Sequence, residues 1–367
     1  MDKAHRTFMK RALDLARRGH GRTSPNPLVG AVVVKAGRIV GEGYHQKAGT
    51  PHAEVHALNA AGENARGATL YVNLEPCCHW GRTPPCTEAV LQAGVAEVYV
   101  AEVDPNPSVA GNGIRQLQDA GIRVHVGIYA EAAARLNEVY KKYIQTGKPF
   151  VILKTAMSLD GKIATASGES QWITSEGARQ RGHEIRDTVD AILVGSGTVV
   201  RDNPALTTRL QDREGQDATR IVLDSYGRTS TDARIFNPES GAGVIIAVTP
   251  NTPTENVSAL ERAGAEVITV PAAHGRVCFK RLMEILGERE ITSVLVEGGG
   301  EINAAAIAAG VVDKMMCFIA PKLIGGRDAP GPIGGEGISS LSDVPRLQRV
   351  SITPISDSDD FLIEGYL

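Results

Sequence analysis

Two short stretches of the chain hold residue types that bind a soft metal ion and carry protons. The stretch TPHAEVHALNAAG places His52 and Glu54 two residues apart, and NLEPCCHWGRTPPC supplies Cys77 and Cys86 further along. Imidazole nitrogen and thiolate sulfur suit zinc, and a catalytic zinc uses three protein ligands and keeps a fourth position for water. His52, Cys77 and Cys86 are therefore the predicted zinc ligands.

The arrangement follows the zinc-deaminase pattern H-x-E…P-C-x-x-C, in which the glutamate carries protons and does not bind the metal. The present chain departs from it, because eight residues and not two separate the cysteines. Zinc lowers the pKa of a bound water towards neutrality, and the hydroxide can attack a ring carbon that bears an amino group. We expect Glu54 to move the proton from this water to the ring nitrogen and the leaving ammonia.

Neighbouring residues offer alternative ligands. Cys78 or His79 could replace Cys77, because adjacent residues differ only in the direction of their side chains. Cys77 directly follows Pro76, as in the deaminase pattern, and is the preferred choice. His52 and His56 have the H-x-x-x-H spacing of metalloprotease helices, but Ala53 stands where those helices have a glutamate. We therefore interpret His56 as structural or as a support for the ligands.

The composition is that of an ordinary globular chain. Its 367 residues predict two domains, with 42% hydrophobic and 22% charged residues. The net charge of −3 provides no surplus of cations, so nucleic-acid binding is not expected. The longest apolar runs, such as VGAVVV and GVIIAV, are too short to span a bilayer.

The N-terminus has no apolar core of the kind that signal peptides carry, so we expect a cytoplasmic location. The chain has five cysteines, and three of them cluster at positions 77, 78 and 86. In a chain without an export signal, that distribution favours metal or thiol chemistry over a disulfide framework.

Helix and strand signals alternate along the chain and predict an α/β layered architecture. In the first half, LVGAVVVKAGRIVGEGYH predicts two strands joined by a turn at 35–37, and HAEVHALNAAG predicts a helix that begins at the metal-binding histidine. The pattern restarts at FVILKTAM after the turn signal TGKP. We therefore predict two domains, at 1–147 and 148–367.

The second half lacks a G-x-G-x-x-G dinucleotide fingerprint with its acidic partner. Its strongest signal is VLVEGGGEINAAAIAAG, in which a buried strand leads through three glycines into a helix. Such a helix N-terminus attracts phosphate, although a tight strand-to-helix turn explains the glycines equally well. Gly195 and Gly197 repeat the pattern after another strand, and Arg209 is an available phosphate anchor.

The motifs SPNPLVGAVVV, HAEVHAL, LEPCCHWGRTPPC and DPNPSVAGNG resemble those of the bifunctional riboflavin-biosynthesis deaminase–reductase family. The segments KTAMSLDGKIA, SGESQWITS, VGSGTVVRDNPALTTR and IAPKLIGG resemble its reductase part, so the resemblance covers nearly the whole chain. It implies a cytidine-deaminase-like three-layer domain followed by a dihydrofolate-reductase-like domain. The first would deaminate a ribosylaminopyrimidinone phosphate to the uracil, and the second would use NADPH to reduce the ribosyl group to ribityl.

The resemblance also implies functional residues. In the first domain, the implied substrate-binding residues are Asn26, His45, Arg82, Asp104 and Asn106. Turn formation beside proline explains the two asparagines and the aspartate as well. In the second domain, the implied cofactor-binding residues are Ala156, Trp172, Thr198, Asp202, Gly299, Gly300, Glu301, Ile302 and Asn303. The implied substrate-binding residues are Lys154, Ser170, Arg186, Leu206, Arg209 and Glu297.

The expected partners are small pyrimidine ribosyl phosphates, and the resemblance suggests an assembly of at least two chains. Three alternatives share some of these features. One is a cytidine- or guanine-type deaminase fused to an unrelated reductase, and another is an RNA-editing deaminase with an accessory domain. The aromatic content of 4% argues against the second, because single-strand binding needs stacking platforms. A purely structural zinc site is the third, but three ligands beside a carboxylate fit an open catalytic site better.

Overall fold

The computed structural model describes residues 3–81, 83–237 and 239–367. These residues form two compact units that divide between Gly147 and Lys148. Each unit consists of helices packed on a mixed β-sheet.

The first unit alternates helices and strands around a five-stranded sheet. Its elements in chain order are α1 Lys3–Ala16, β1 Gly30–Lys35, β2 Arg38–Tyr44, α2 Ala53–Ala61, β3 Thr69–Leu74, α3 Cys86–Ala93, β4 Glu97–Glu102, α4 Asn112–Asp119, β5 Arg123–Val126, α5 Ala130–Leu136 and α6 Glu138–Thr146. The strand order is β2-β1-β3-β4-β5. The predicted hairpin turn at 35–37 is confirmed, because β1 and β2 pair antiparallel on either side of it.

Both faces of this sheet are covered, which gives three layers. Alternate residues of β1 point to opposite faces: Val33 packs with Ala57 of α2, whereas Val32 packs with Leu13 of α1. The strands β3, β4 and β5 run parallel. Their carboxyl ends therefore meet at one edge, and the loop that carries Cys77 follows β3 there.

Helix α2 lies unusually close to β2. A Cβ atom added at Gly43 would lie 2.5 Å from the Cβ of His56 and 2.6 Å from the carbonyl oxygen of Ala53. At Gly41 it would lie 2.2 Å from the carbonyl oxygen of Ala57. Only glycine permits this approach, so two glycines of β2 set the height of α2 above the sheet.

The second unit contains a nine-stranded sheet of order β10-β9-β8-β7-β13-β6-β14-β16-β15 and a two-stranded ribbon, β11-β12. Its elements are β6 Phe150–Ser158, α7 Glu176–Arg186, β7 Ala191–Gly195, α8 Ser196–Asp202, β8 Thr219–Leu223, β9 Val244–Val248, α9 Thr254–Arg262, β10 Glu266–Thr269, β11 Ala272–Ala273, β12 Arg276–Val277, α10 Phe279–Glu288, β13 Ser293–Val296, α11 Gly300–Ala308, β14 Lys314–Ala320, β15 Gln348–Pro354 and β16 Phe361–Tyr366.

The strands from β10 to β14 in that order are parallel, and β16 and β15 continue the sheet antiparallel. Central strands such as β7 are buried along their full length, as expected for parallel strands covered on both faces. The loops that leave their carboxyl ends are the usual place for ligand binding in such sheets.

Candidate active sites

Three ligand atoms converge between α2, the loop after β3 and α3. His52 Nδ1 lies 3.1 Å from the sulfur of Cys86 and 3.5 Å from that of Cys77. His52 is the residue before α2, and Cys86 is the first residue of α3. The termini of two neighbouring helices therefore bring together side chains that are far apart in the sequence.

The donor set and its spacing fit zinc. Zinc–nitrogen bonds of about 2.0–2.1 Å and zinc–sulfur bonds of about 2.3 Å place tetrahedral nitrogen and sulfur ligands about 3.6 Å apart. The observed separations lie near that value, and all three atoms are within 4.8 Å of one another. Among the described residues this cluster has only three members, which leaves one tetrahedral position for another ligand.

The second nitrogen of His52 fixes which side of the ring faces the sulfurs. Nε2 lies 3.2 Å from the hydroxyl oxygen of Thr83. When Nε2–H donates to that oxygen, the lone pair of Nδ1 points towards Cys77 and Cys86. An outer hydrogen bond of this kind orients a metal-binding histidine and holds its tautomer.

Cys77 is the cysteine whose surroundings favour the thiolate form. The hydrogen bonds from Cys86 and His52 lower the pKa of the Cys77 thiol, which favours the thiolate that metals bind. The backbone N–H of Cys86 donates to the Cys77 sulfur at 3.3 Å. Cys78 does not belong to the cluster, because its sulfur is directed to the carbonyl of Ser108 at 4.0 Å.

Glu54 is enclosed beside these ligands. Glu54 is 3% exposed, and its carboxylate oxygen Oε2 has no hydrogen-bond partner among the described residues. Burial, reinforced by the negative charge of Cys77, raises the pKa of Glu54 to about 7. A buried acceptor without a partner is costly unless a ligand satisfies it, so Oε2 fits a water or substrate proton at the open metal position.

The predicted substrate residues of the first unit fall into two groups. Asn26 Nδ2 lies 3.1 Å from His45 Nε2, and the His45 ring lies 5.1 Å from the ring of His52. Burial lowers the pKa of His45 to about 4, so the ring is neutral and orients Asn26. These two residues therefore adjoin the metal cluster. Arg82 lies outside the described residues.

The second group follows β4. The backbone N–H of Asn106 donates to Asp104 at 2.8 Å, and the N–H of Ser108 donates to Asn106 at 3.0 Å. These bonds build the turns that the neighbouring prolines predict. Tyr140 donates its hydroxyl proton to Asp104 at 3.0 Å, and burial raises the pKa of that carboxyl to about 6. The same loop reaches the Cys77 loop through the contact between Cys78 and Ser108.

The second unit has two adjoining cavities at the carboxyl ends of its parallel strands. We call them the Lys154 cavity, of about 660 Å³, and the Gly299 cavity, of about 670 Å³. Ile163 and Thr198 line both. The predicted residues around the Lys154 cavity are Lys154, Ala156, Ser170, Trp172, Arg186, Thr198, Asp202, Leu206, Arg209 and Glu297.

The Gly299 cavity lies at the start of α11, as the glycine motif predicts. Its lining includes the predicted residues Thr198, Gly299, Gly300, Glu301 and Ile302. Asn303 does not line it. The Asn303 side chain is buried and donates to the carbonyl of Pro332 at 2.8 Å, so it anchors a loop and does not face the cavity.

A buried ion pair forms one wall of the Lys154 cavity. Arg186 donates to both carboxylate oxygens of Glu297 and to the carbonyl of Thr207 at 3.0 Å. Burial raises the pKa of Glu297, but the stronger opposing attraction of Arg186 and Lys154 brings it down to about 2. The pair therefore stays charged at physiological pH and presents a fixed polar surface.

Sequence reasoning missed several cations near these cavities. Arg179 and Arg234 line the Lys154 cavity, and Arg228 lines the Gly299 cavity. Arg179 stacks on Trp172, with its guanidinium carbon 4.4 Å from the centre of a ring. Isolated arginines are usually solvated, whether on a helix such as α7 or in a loop, so no pattern in the sequence separated these three from the others.

Comparison with known proteins decides the family. The profile of the RibD C-terminal domain matches residues 149–358, and that of the cytidine and deoxycytidylate deaminase zinc-binding region matches residues 2–102. The riboflavin biosynthesis protein RibD of Actinobacillus pleuropneumoniae is 44% identical over 357 residues, which cover 97% of this chain and 94% of that protein. The chain belongs to the RibD family.

Solved RibD structures have the same fold along the whole chain. One form of Acinetobacter baumannii RibD is 38% identical, with a TM-score of 0.86 over 99% of each chain. A Thermotoga maritima protein described as a diaminohydroxyphosphoribosylaminopyrimidine deaminase/5-amino-6-(5-phosphoribosylamino)uracil reductase is also 38% identical, with a TM-score of 0.85 over 99% of this chain and 98% of that one. The predicted family and α/β fold class are therefore confirmed.

Membership of the RibD family makes this chain a bifunctional riboflavin-biosynthesis enzyme with deaminase and reductase domains. The match to a zinc-binding deaminase region agrees with the cluster of His52, Cys77 and Cys86. The alternatives of an unrelated reductase partner and of an RNA-editing enzyme are set aside, since RibD relatives match both halves in one chain. None of the helices in the described parts of the chain is long and apolar enough to cross a membrane.

Proposed function

We propose that the first unit, residues 1–147, deaminates a diaminohydroxyphosphoribosylaminopyrimidine. The second unit, residues 148–367, would then reduce the resulting 5-amino-6-(5-phosphoribosylamino)uracil with NADPH. The observation that carries the proposal is the three-ligand cluster with the unpartnered Oε2 of Glu54 beside it. The names of the two substrates are those attached to the Thermotoga relative, whose chain is similar over nearly its full length.

In the deaminase reaction, water replaces the amino group of the pyrimidine and ammonia leaves. A zinc ion held by His52, Cys77 and Cys86 supplies Lewis acidity that makes water nucleophilic near neutral pH. Glu54 would take one proton of the attacking water at Oε2 and deliver it to the ring nitrogen. It would then take the second proton from the newly added hydroxyl and pass it to the departing amine, so that the carbonyl forms and ammonia leaves. Burial raises the pKa of Glu54 above its ordinary value, which favours uptake of the proton that it must carry.

Asn26 and His45 are proposed to orient the pyrimidine. The amide of Asn26 can hydrogen-bond the edge of a pyrimidine, and the neutral ring of His45 holds that amide in place at 3.1 Å. Asp104 and Asn106 are proposed to complete the substrate site from the loop after β4, with Arg82 as a partner for the phosphate.

In the reductase reaction, NADPH supplies a hydride to the carbon of the open-chain ribosylamine C=N bond, and a proton completes the reduced ribitylamine. The chain contributes position and charge. Arg186 and Arg209 are proposed to bind the ribosyl phosphate, with Glu297 fixing the guanidinium of Arg186. Lys154 lines the same cavity and would steady the sugar hydroxyls.

The cofactor is proposed to lie in the Gly299 cavity, with its phosphates at the N-terminus of α11, where backbone N–H groups and the helix dipole favour anions. Ala156, Trp172, Thr198 and Asp202 line the Lys154 cavity, so they would contact the reacting end of the cofactor. The family resemblance further supports a cytoplasmic enzyme assembled from at least two chains.

The decisive experiment supplies the purified diaminopyrimidine phosphate to the intact chain and follows ammonia and NADPH together. We expect ammonia release first and NADPH oxidation only after deamination. Removing the metal with a chelator should stop ammonia release, while NADPH oxidation should continue when the deaminated uracil is supplied directly. NADPH oxidation that needs no pyrimidine, or ammonia release that survives complete metal removal, would overturn the proposal.

A further inference from the structure

The two cavities of the second unit define a direction for the bound cofactor. Hydride transfer requires the nicotinamide to touch the substrate, which the proposed function places in the Lys154 cavity. Ile163 and Thr198 line both cavities, so the nicotinamide end must lie beside them. The opposite end of the Gly299 cavity must then hold the adenosine half.

That opposite end lies over the loop that follows β8. In the sheet, β8 lies on one side of β7, and β13 and β6 lie on the other side. Two residues of the Lys154 cavity belong to that other side: Glu297 follows β13, and Lys154 lies on β6. Ser225, Tyr226 and Arg228 of the β8 loop line the Gly299 cavity and not the Lys154 cavity. The β8 loop is therefore the surface that the adenosine half meets.

The charges around the Gly299 cavity favour a ligand with several anionic groups. Three arginines, Arg201, Arg228 and Arg276, line it, and Glu301 is the one acidic residue among the described lining. Arg276 lies 3.6 Å from Glu301 and is partly neutralised by it. Arg201 follows Thr198 by one helical turn and so belongs to the nicotinamide side of the cavity.

Arg228 is left as the cation of the adenosine side. Its guanidinium carbon lies 5.1 Å from the centre of the Tyr226 ring, and Tyr226 is 47% exposed. An exposed aromatic ring beside a planar cation is a suitable surface for stacking an adenine base. Arg228 forms no ion pair with any residue that the structure describes, so its charge is available to a ligand.

The β8 loop is held in shape before any ligand arrives. The buried carboxylate of Asp224 accepts the backbone N–H of Thr229 at 2.6 Å and its hydroxyl at 2.7 Å. Asn256 donates to the carbonyl of Tyr226 at 3.0 Å, and Gly227 has a φ of +64° in the turn between the two functional side chains. A fixed loop reduces the entropy that ligand binding must overcome.

We propose that Arg228 binds the 2′-phosphate of NADPH while Tyr226 packs against the adenine, so that Arg228 sets the preference for NADPH over NADH. The inference rests on the proposed NADPH-dependent reductase function and adds to it the residue that recognises the phosphate. The planar guanidinium can donate two parallel hydrogen bonds to a phosphate, which a lysine cannot do.

The test compares Arg228→Ala and Arg228→Lys with wild type in the full-length chain. With the deaminated uracil as substrate, Arg228→Ala should raise the KM for NADPH about 10- to 100-fold, the range of a lost charge-assisted hydrogen bond. The kcat/KM for NADH should stay within about twofold, because NADH lacks the phosphate that such a bond requires. The KM of Arg228→Lys for NADPH should lie between those of wild type and Arg228→Ala. Arg262→Ala removes an exposed arginine of α9 that lines neither cavity, and it should behave as wild type.

A binding measurement separates this inference from the proposed function. Calorimetry with 2′,5′-ADP and 5′-AMP needs no turnover, and Arg228→Ala should weaken only the first. An unchanged ratio of NADPH to NADH use in Arg228→Ala, or a preference lost in Arg201→Ala or Arg276→Ala instead, would overturn the assignment of Arg228. Failure of the wild type to oxidise either coenzyme would overturn the reductase proposal itself, while the calorimetry would still test Arg228.

Discussion

Arg186 and Glu297 form a two-point ion pair, with Nε 3.1 Å from Oε1 and Nη2 2.6 Å from Oε2. Their side chains are 16% and 9% exposed. The pair links the last turn of α7 to the residue after β13, and it lines the cavity proposed for the reductase substrate. The same ion pair therefore contributes to the stability of the second unit and fixes part of the wall of the Lys154 cavity.

Because of this pair, the free energy of unfolding of the second unit should fall as the pH is lowered into the acid range. Glu297 has a pKa of about 2 in the folded chain against an ordinary value of 4.5. Because the folded value is the lower one, the carboxylate stabilises the fold above pH 4.5, and this contribution is lost as the pH falls towards 2. We expect the stability gap between wild type and Glu297→Gln to narrow by about 3 kcal/mol over that range.

Urea unfolding at several pH values measures this gap. The chain has two tryptophans, Trp80 in the first unit and Trp172 in the second. In a Trp80→Phe background, the tryptophan fluorescence therefore follows the unfolding of the second unit alone. Glu184→Gln is the matched control, since its ion pair with Arg181 lies on the same helix but is 43% exposed at the glutamate. Exposed pairs of this kind contribute about 0–1 kcal/mol. A gap that is constant with pH would contradict the assignment.

His183 should position Arg209 without touching the substrate. Its Nδ1 accepts the backbone N–H of Arg209 at 3.2 Å. Burial, together with the charges of Arg186 and Arg209, lowers the pKa of His183 to about 4, so the ring remains a neutral acceptor. We expect His183→Leu to raise the KM for the reductase substrate about 10-fold, as for the loss of one hydrogen bond that holds the backbone of Arg209 in place.

The kcat should change much less than the KM. His183→Asn keeps an acceptor of similar reach and should recover most of the affinity. If the leucine and asparagine variants were equally impaired, bulk and not hydrogen bonding would explain the effect.

Glu54→Gln tests the proton carrier of the deaminase site. The amide keeps the shape of the carboxyl but cannot take up a proton, so ammonia release should fall about 10²- to 10⁴-fold. Metal analysis should still give about one zinc per chain, and NADPH oxidation with supplied uracil should be unchanged. Glu63→Gln, at an exposed glutamate shortly after the same helix, should be neutral. Normal ammonia release from Glu54→Gln would assign the proton transfer to another group.

Gly43→Ala tests whether the glycines of β2 set the metal geometry. The added methyl group would come within 2.6 Å of α2 atoms at His56 and Ala53, so the helix that follows His52 must move. Because a displacement of about 1 Å can cost about 10²-fold in rate, we expect weaker zinc retention on dialysis and a comparable loss of ammonia release. Gly182→Ala, where the methyl meets nothing within 4 Å, is the control. Full zinc retention and activity in Gly43→Ala would show that α2 tolerates the shift.

Residue patterns predicted the parts of the site that depend on short motifs. Sequence patterns predicted the β1–β2 hairpin, helix α2, strand β6 and the step from β13 into α11, and the deaminase pattern predicted His52, Cys77 and Cys86 as one cluster. The choice between Cys77 and Cys78 depended on side-chain direction, which adjacent positions in a loop do not reveal. Asn303 shows a further limit of motif reasoning: it follows the glycine motif in sequence, but its side chain donates to the carbonyl of Pro332.

Arg228 could not have been selected from the sequence. Its position becomes informative only when β8 is known to adjoin β7 and the direction of the two cavities is known. The orientation of His52 through Thr83 is likewise a tertiary contact. Such relationships arise from strand order and loop packing, and neither leaves a local signature.

Thr83 belongs to the eight residues that lengthen the connection between the two metal-binding cysteines. The two sulfurs lie at the ends of this connection, on Cys77 in the loop after β3 and on Cys86 at the start of α3. The residues between them supply the hydroxyl that orients His52. The residues of the extended loop are therefore under different constraints: position 83 must keep a hydroxyl that faces His52, whereas loop positions that contact none of the three metal-binding residues can vary. A new specificity could therefore evolve at this connection without re-inventing the hydrolytic chemistry beneath it.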